Sequence, residues 1–156
     1  MKFISLLLGA VAAQTIYFIR HGEQDANSGE DLSAQVFAGK KQKYPSPDTL
    51  IAQNPADHSH RAVETITPLS HVLNIPIQDQ CDRDDITCAT NLINSNIQKG
   101  SKIVLVAWEH GQLGSIAANF VSGPAPVYPG SHYDLIWEVD YKSQSYQIKR
   151  EVCKFQ

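Results

Sequence analysis

The chain has 156 residues, of which 42% are hydrophobic and 19% charged, with a formal net charge of -3. That length suits one domain with a buried core, and the composition excludes a disordered chain. The small acidic excess gives no reason to expect nucleic acid or an anionic membrane as partner, so an anionic ligand would need a local positive pocket.

Residues 1–13, MKFISLLLGAVAA, read as a secretory signal peptide: Lys2, then an apolar run, then small residues suited to cleavage. The stretch is too short to span a bilayer, and no other segment is apolar enough to do so. The expectation is an exported product, cleaved after Ala12 or Ala13, with one domain over residues 14–156. Next comes TIYFIRHGEQD (15–25), whose first five residues are β-branched, aromatic and apolar without polar alternation. This is the pattern of a strand buried on both faces. It stops on Arg20, His21 and Gly22, where a glycine lets the chain turn. Open α/β sheets bind ligands at such strand ends. There Arg20 offers a fork for phosphate or carboxylate, and His21 a nucleophile or base.

A polar loop follows, then a helix expected roughly over Leu32–Gln42, capped by Asp31 or Ser33, with Val36 and Phe37 inward. DTLIAQ (48–53) is a candidate strand. HRAVETITPLSHVL (60–73) has helical periodicity, with a kink or restart expected at Pro68 and Thr67 as its cap. NIPIQDQ (74–80) is a candidate strand, 87–98 a weak helix, and Lys99-Gly100-Ser101 a stop. KIVLVAW (102–108) is a second buried strand, ending in Glu109-His110-Gly111 before a helix over 111–121. After a Pro/Gly loop, DLIWEVDY and SQSYQIKREV read as two strands of a hairpin. Buried strands alternating with helices predict an α/β domain with a largely parallel sheet. Trp108 and Trp137 are assigned to the core, and His58, His60, His71 and His132 to surface or loops.

Of three cysteines, Cys81 and Cys88 bracket the acidic loop CDRDDITC and Cys153 lies near the C-terminus. In an exported protein a disulfide is expected among them, and the sequence leaves the pairing open. The spacing lacks a Cys-x-x-Cys pair, so zinc is not expected.

IYFIRHGEQ resembles the opening signature of the histidine phosphatase superfamily, also called phosphoglycerate mutase-like. Two further segments extend the resemblance. HSHRAVETIT is similar to the family's second-arginine segment, with Arg61 at the matching position and Thr65 after it. WEHG matches its second histidine at His110. The resemblance implies a three-layer α/β/α sandwich and a pocket for a small phosphorylated substrate. In it His21 attacks phosphorus to give a phosphohistidine, and Arg20, Arg61 and His110 bind the phosphoryl group. No cofactor and no metal are implied. The general acid is expected from a carboxyl after the strand that follows the second-arginine helix. Asp82 is preferred there, with Asp84, Asp85 and Glu109 as alternatives. Because strand neighbours point to opposite faces, Glu109 and His110 are not both expected to reach the pocket. The chain departs from the family in its short length and in lacking the Glu-Thr and Asn of many glycolytic members.

The function expected is therefore a secreted phosphatase hydrolysing phosphate monoesters. The alternatives are a non-catalytic secreted protein or effector binding a phosphorylated ligand, and a phosphomutase using the same pocket.

Overall fold

A computed structural model describes residues 13–22, 36–38, 42–55 and 59–150. The strands are β1 (Thr15–Arg20), β2 (Thr49–Gln53), β3 (Ile77–Cys81), β4 (Ile103–Trp108), β5 (Leu135–Asp140) and β6 (Ser145–Arg150). The helices with described bounds are α1 (Arg61–Leu73), α2 (Ile86–Gln98) and α3 (His110–Ala117). The sheet order is β3-β2-β4-β1-β5-β6. The first four strands in that order run parallel, and β5 and β6 are antiparallel additions at one side.

The two apolar strands of the sequence are the centre of this sheet. Strand β1 pairs with β4 in register from Thr15 opposite Ile103 to Arg20 opposite Trp108. Because side chains alternate along a strand, each supplies two cores. Ile16 and Phe18, with Val104, Val106 and Trp108, pack under α2 and α3. Tyr17 and Ile19, with Leu105 and Ala107, pack under α1 and against Phe37 and Tyr44. The result is the α/β/α sandwich, with Trp108 and Trp137 both fully buried.

Several local expectations shift. Residues 36–38 are helical with Val36 and Phe37 buried, whereas 42–43 are not helical, so the first helix ends before Gln42. The rest of that expected helix, Leu32 and both proposed caps included, lies outside the described residues, as do His58 and Cys153. Helix α1 runs through Pro68 without a restart. Ile66 and Leu69, on either side of the proline, are both fully buried on one stripe. Thr67 is no cap: its hydroxyl donates to the Val63 carbonyl one turn back, at 2.7 Å. Helix α2 is regular, N-capped by the Asp85 side chain accepting from Cys88 N–H. Helix α3 begins at His110 itself and ends at Ala117, short of the expected 121. Among the described residues, no helix is long and apolar enough to cross a membrane.

Candidate active site

The site lies where β1 and β4 end side by side. His21 N–H donates to the Trp108 carbonyl at 3.2 Å, one rung beyond the ladder, so residues 21 and 109 leave the sheet as neighbours. His21 is only 4% exposed. Its Nδ1 faces the Gly22 carbonyl at 3.1 Å. Since a carbonyl can only accept, this contact puts the proton on Nδ1 and leaves the Nε2 lone pair free. The Gly22 amide in turn donates to Thr65 Oγ1 at 2.8 Å, and that hydroxyl donates to the Arg61 carbonyl at 2.6 Å. The turn after β1 is thereby tied to the first turn of α1.

Burial lowers the His21 pKa below its ordinary value. The contact with the Gly22 carbonyl opposes this as the next largest effect, the positive fields of Arg61 and Arg20 lower the pKa further, and Glu109 opposes least. A neutral imidazole between two guanidinium groups is thus the resting state at neutral pH.

Arg20 is 6% exposed and enters from the α2/α3 side of the sheet. Its Nη1 donates to the carbonyls of Gly130 (2.7 Å) and His132 (2.9 Å), and its Nη2 to the Tyr133 hydroxyl (3.0 Å). Its Cζ lies 3.7 Å from the centre of the Tyr133 ring. Its Nε is buried with no hydrogen-bond partner. Arg61 is the first residue of α1, exposed, with Nε donating to Ser59 Oγ at 3.2 Å. It stands at a helix N-terminus, where free N–H groups favour an anion.

His110 opens α3, and Glu109 before it is the N-cap. Strand alternation no longer applies at this pair, which corrects the expectation that the two point apart. Glu109 Oε2 accepts from Gly111 N–H at 2.9 Å while Oε1 lies 2.7 Å from His110 Nδ1. The second contact is close but out of line for a hydrogen bond, because His110 Nδ1 has no partner of acceptable geometry. A Cβ on Gly111 would stand 2.9 Å from Glu109 Oε2, the far end of a flexible side chain that would shift to make room. The other ring nitrogen, Nε2, faces Gly130, 3.6 Å from where a Cβ would stand.

The structure thus gathers Arg20, His21, Glu109 and His110 at one edge, with Arg61 near enough to act on His21 electrostatically. The aspartates lie on the loop after β3, which is fastened to the tip of β4 and the start of α3: Trp108 Nε1 donates to the Arg83 carbonyl and Gln112 Nε2 to Asp84 Oδ1, both at 2.9 Å. Asp84 pairs with Arg83 at 2.7 Å and accepts from Gln112, which together hold its carboxyl below the usual carboxylate range. Asp85 is the α2 cap. Asp82 is exposed after β3, an edge strand three places from β1. At the usual strand spacing β3 itself is about 14 Å from β1, while the loop after it turns back toward Trp108 and Gln112. Cys81 and Cys88 form a disulfide across this loop, with Cα atoms 5.6 Å apart.

Sequence reasoning missed Gly130, His132 and Tyr133, which grip Arg20. The signal lay in topology: β5 is antiparallel to β1, with Ile136 opposite Ile19, so the residues just before β5 stand beside those just after β1.

No protein-family model matches the chain, and no curated protein does. Among solved structures, the protein histidine phosphatase SixA complexed with tungstate aligns over 88% of this chain and 97% of its own, with TM-score 0.60 and 16% identity. The chain has the histidine phosphatase fold. A SixA protein from Agrobacterium tumefaciens aligns over 87% of this chain and 96% of its own, at TM-score 0.48 and 13% identity. In a histidine phosphatase fold the two strand tips carrying His21 and His110 are adjacent, and the arrangement can present a nucleophilic nitrogen and two guanidinium groups to one tetrahedral oxyanion.

Proposed function

We propose that the chain is a phosphatase acting through a phosphohistidine on His21. The observation that carries this reading is the buried, neutral imidazole with Nδ1 turned to its own chain, flanked by the guanidinium groups of Arg20 and Arg61. Binding of tungstate, a tetrahedral oxyanion, by the SixA structure of the same fold supports an oxyanion in this pocket.

In the first step the Nε2 lone pair attacks phosphorus, and the bond from phosphorus to the leaving atom breaks with its electron pair going to that atom. Arg20, Arg61 and His110 stabilise the charge on the peripheral oxygens. In the second step water attacks phosphorus, the electron pair of the P–N bond returns to Nε2, and the water proton passes to solvent. His21 needs no protonation change at Nδ1 in either step. The reading needs no metal, so activity should survive EDTA.

The leaving group sets the substrate class. Asp84, Asp85 and Glu109 are all engaged in ion-pair or capping contacts, and among the described residues no contact joins Asp82 to His21. We therefore assign the acid role to none of them. Substrates whose leaving group departs without a placed acid are favoured: phosphoramidates such as phosphohistidine, and aryl phosphates. The name of the SixA structure, a protein histidine phosphatase, is consistent with the first. The leader-like residues 1–13 and the Cys81–Cys88 bond support action outside the cell. Sequencing the N-terminus of the exported product tests that placement.

The deciding experiment is turnover of p-nitrophenyl phosphate and a phosphohistidine peptide, with quench-flow mass spectrometry of the enzyme. An acid-labile phosphate on His21, lost with all turnover in His21→Ala, is expected. Phosphate binding without turnover would reduce the protein to a binder, and phosphoryl exchange within one substrate would make it a mutase.

A further inference from the structure

Arg20 has five N–H donors, and the segment before β5 takes three of them. Both Nη1 hydrogens go to main-chain oxygens, of Gly130 and His132, and one Nη2 hydrogen goes to the Tyr133 hydroxyl. What remains is Nε–H and the second Nη2 hydrogen. Nε is buried and has no partner among the described residues. The plane of the guanidinium is set by Tyr133, over whose ring Cζ sits at 3.7 Å. The same ring meets His21 edge-on, with ring centres 6.3 Å apart.

We infer that Tyr133 is a positioning residue: together with the two carbonyls it fixes the Arg20 guanidinium near His21, with the second Nη2 hydrogen left for the phosphoryl group. This rests on the phosphatase reading above. A guanidinium with three donors spent on fixed oxygens cannot swing away, so its remaining Nη2 hydrogen is held in place before the oxyanion binds. The Tyr133 hydroxyl does not touch the substrate in this role. Its contribution is felt equally by bound substrate and transition state, and so appears in KM more than in kcat.

The test uses Tyr133→Phe, which keeps the ring stack and loses the hydroxyl, and Tyr133→Leu, which loses both. The readouts are KM and kcat for p-nitrophenyl phosphate and the dissociation constant of inorganic phosphate by calorimetry. Phe should weaken phosphate about threefold, and Leu about tenfold or more, with KM moving in parallel and kcat changing less. Should Leu not fold, Phe alone carries the comparison. Phosphate affinity within twofold of wild type in every variant that folds, with only the melting temperature lowered, would make Tyr133 a packing residue and overturn the inference while leaving the phosphatase standing. Wild-type protein that neither binds phosphate nor turns over substrate would remove both.

Discussion

At the scale of single residues the chemistry turns on the protonation of His21. Its pKa lies below the ordinary 6.5, from burial first and the two arginines second. In the folded protein His21, the proposed nucleophile, is therefore neutral at pH 7, and on the phosphatase reading kcat/KM should fall on an acid limb below pH 6.5. Arg61→Ala removes one lowering field, so the limb should move to higher pH, with kcat/KM down about 10- to 100-fold for the lost charge-assisted grip. Arg61 is exposed, so its melting temperature should stay near that of wild type. A pH–rate profile of both proteins checks the pair of outcomes. Stability follows the same shift with a definite sign. Between 6.5 and the folded pKa the unfolded chain binds the proton and the native one does not. The His21 contribution is thus full above 6.5 and is lost as pH falls through that window. Urea titrations of wild type and His21→Gln at pH 7.5 and 5 should show the difference, with the variant losing less.

At the scale of elements, what holds the site is the fastening of loops to strands. Helix α3 carries His110, and its Gly114 lies so close to the loop before β5 that a Cβ would stand 2.9 Å from the Pro126 carbonyl. That neighbour is backbone, so Gly114→Ala must push the loop away. The loop continues to Tyr128, whose hydroxyl is tied to both main-chain groups of Leu135, and then to the Arg20 clamp. Gly114→Ala is expected to lower the melting temperature by several degrees and to weaken phosphate binding together with it. On the same face of the sheet the Cys81–Cys88 bond closes a loop over a sequence separation of 7. Chain-entropy reasoning gives about 2–3 kcal/mol for so short a closure. Replacing both cysteines by serine should cost about that much in denaturant unfolding. If the loop at Asp82–Asp85 takes no part in chemistry, kcat should be little changed. Of these elements, the strands were legible because unbroken apolar runs such as IYFI and IVLVA have no other stable environment in a chain this size. A restart at Pro68 capped by Thr67 does not occur, because a proline flanked by two buried residues on one stripe is tolerated in a helix, and periodicity does not reveal the burial.

At the scale of the whole molecule, the order of strands decides which sequence neighbours matter. Arg20, His21 and His110 could be proposed from their motifs, and the pairing of β1 with β4 puts the two histidine-bearing tips side by side. The sequence could not show that β3 lies at the sheet edge or that β5 brings Tyr133 alongside β1, because strand order is a property of the assembled sheet. That order separates Asp82 from His21 by two intervening strands, and it leads to a prediction about rate against leaving group. With an acid in reach, proton transfer to the departing oxygen makes rates nearly independent of its basicity. With none in reach, the bond must break toward a bare anion, and kcat/KM should rise steeply as the leaving group becomes more acidic. A series from ethyl through phenyl to p-nitrophenyl phosphate measures the slope. The expected result is a rise of about 10²–10⁴ across the series, the usual size of the missing acid's contribution, with a phosphohistidine peptide at the fast end. Asp82→Asn should leave that slope as it is. A flat series in wild type that turns steep in Asp82→Asn would show that the loop reaches across the two strands when substrate binds, and the acid would then be Asp82 after all.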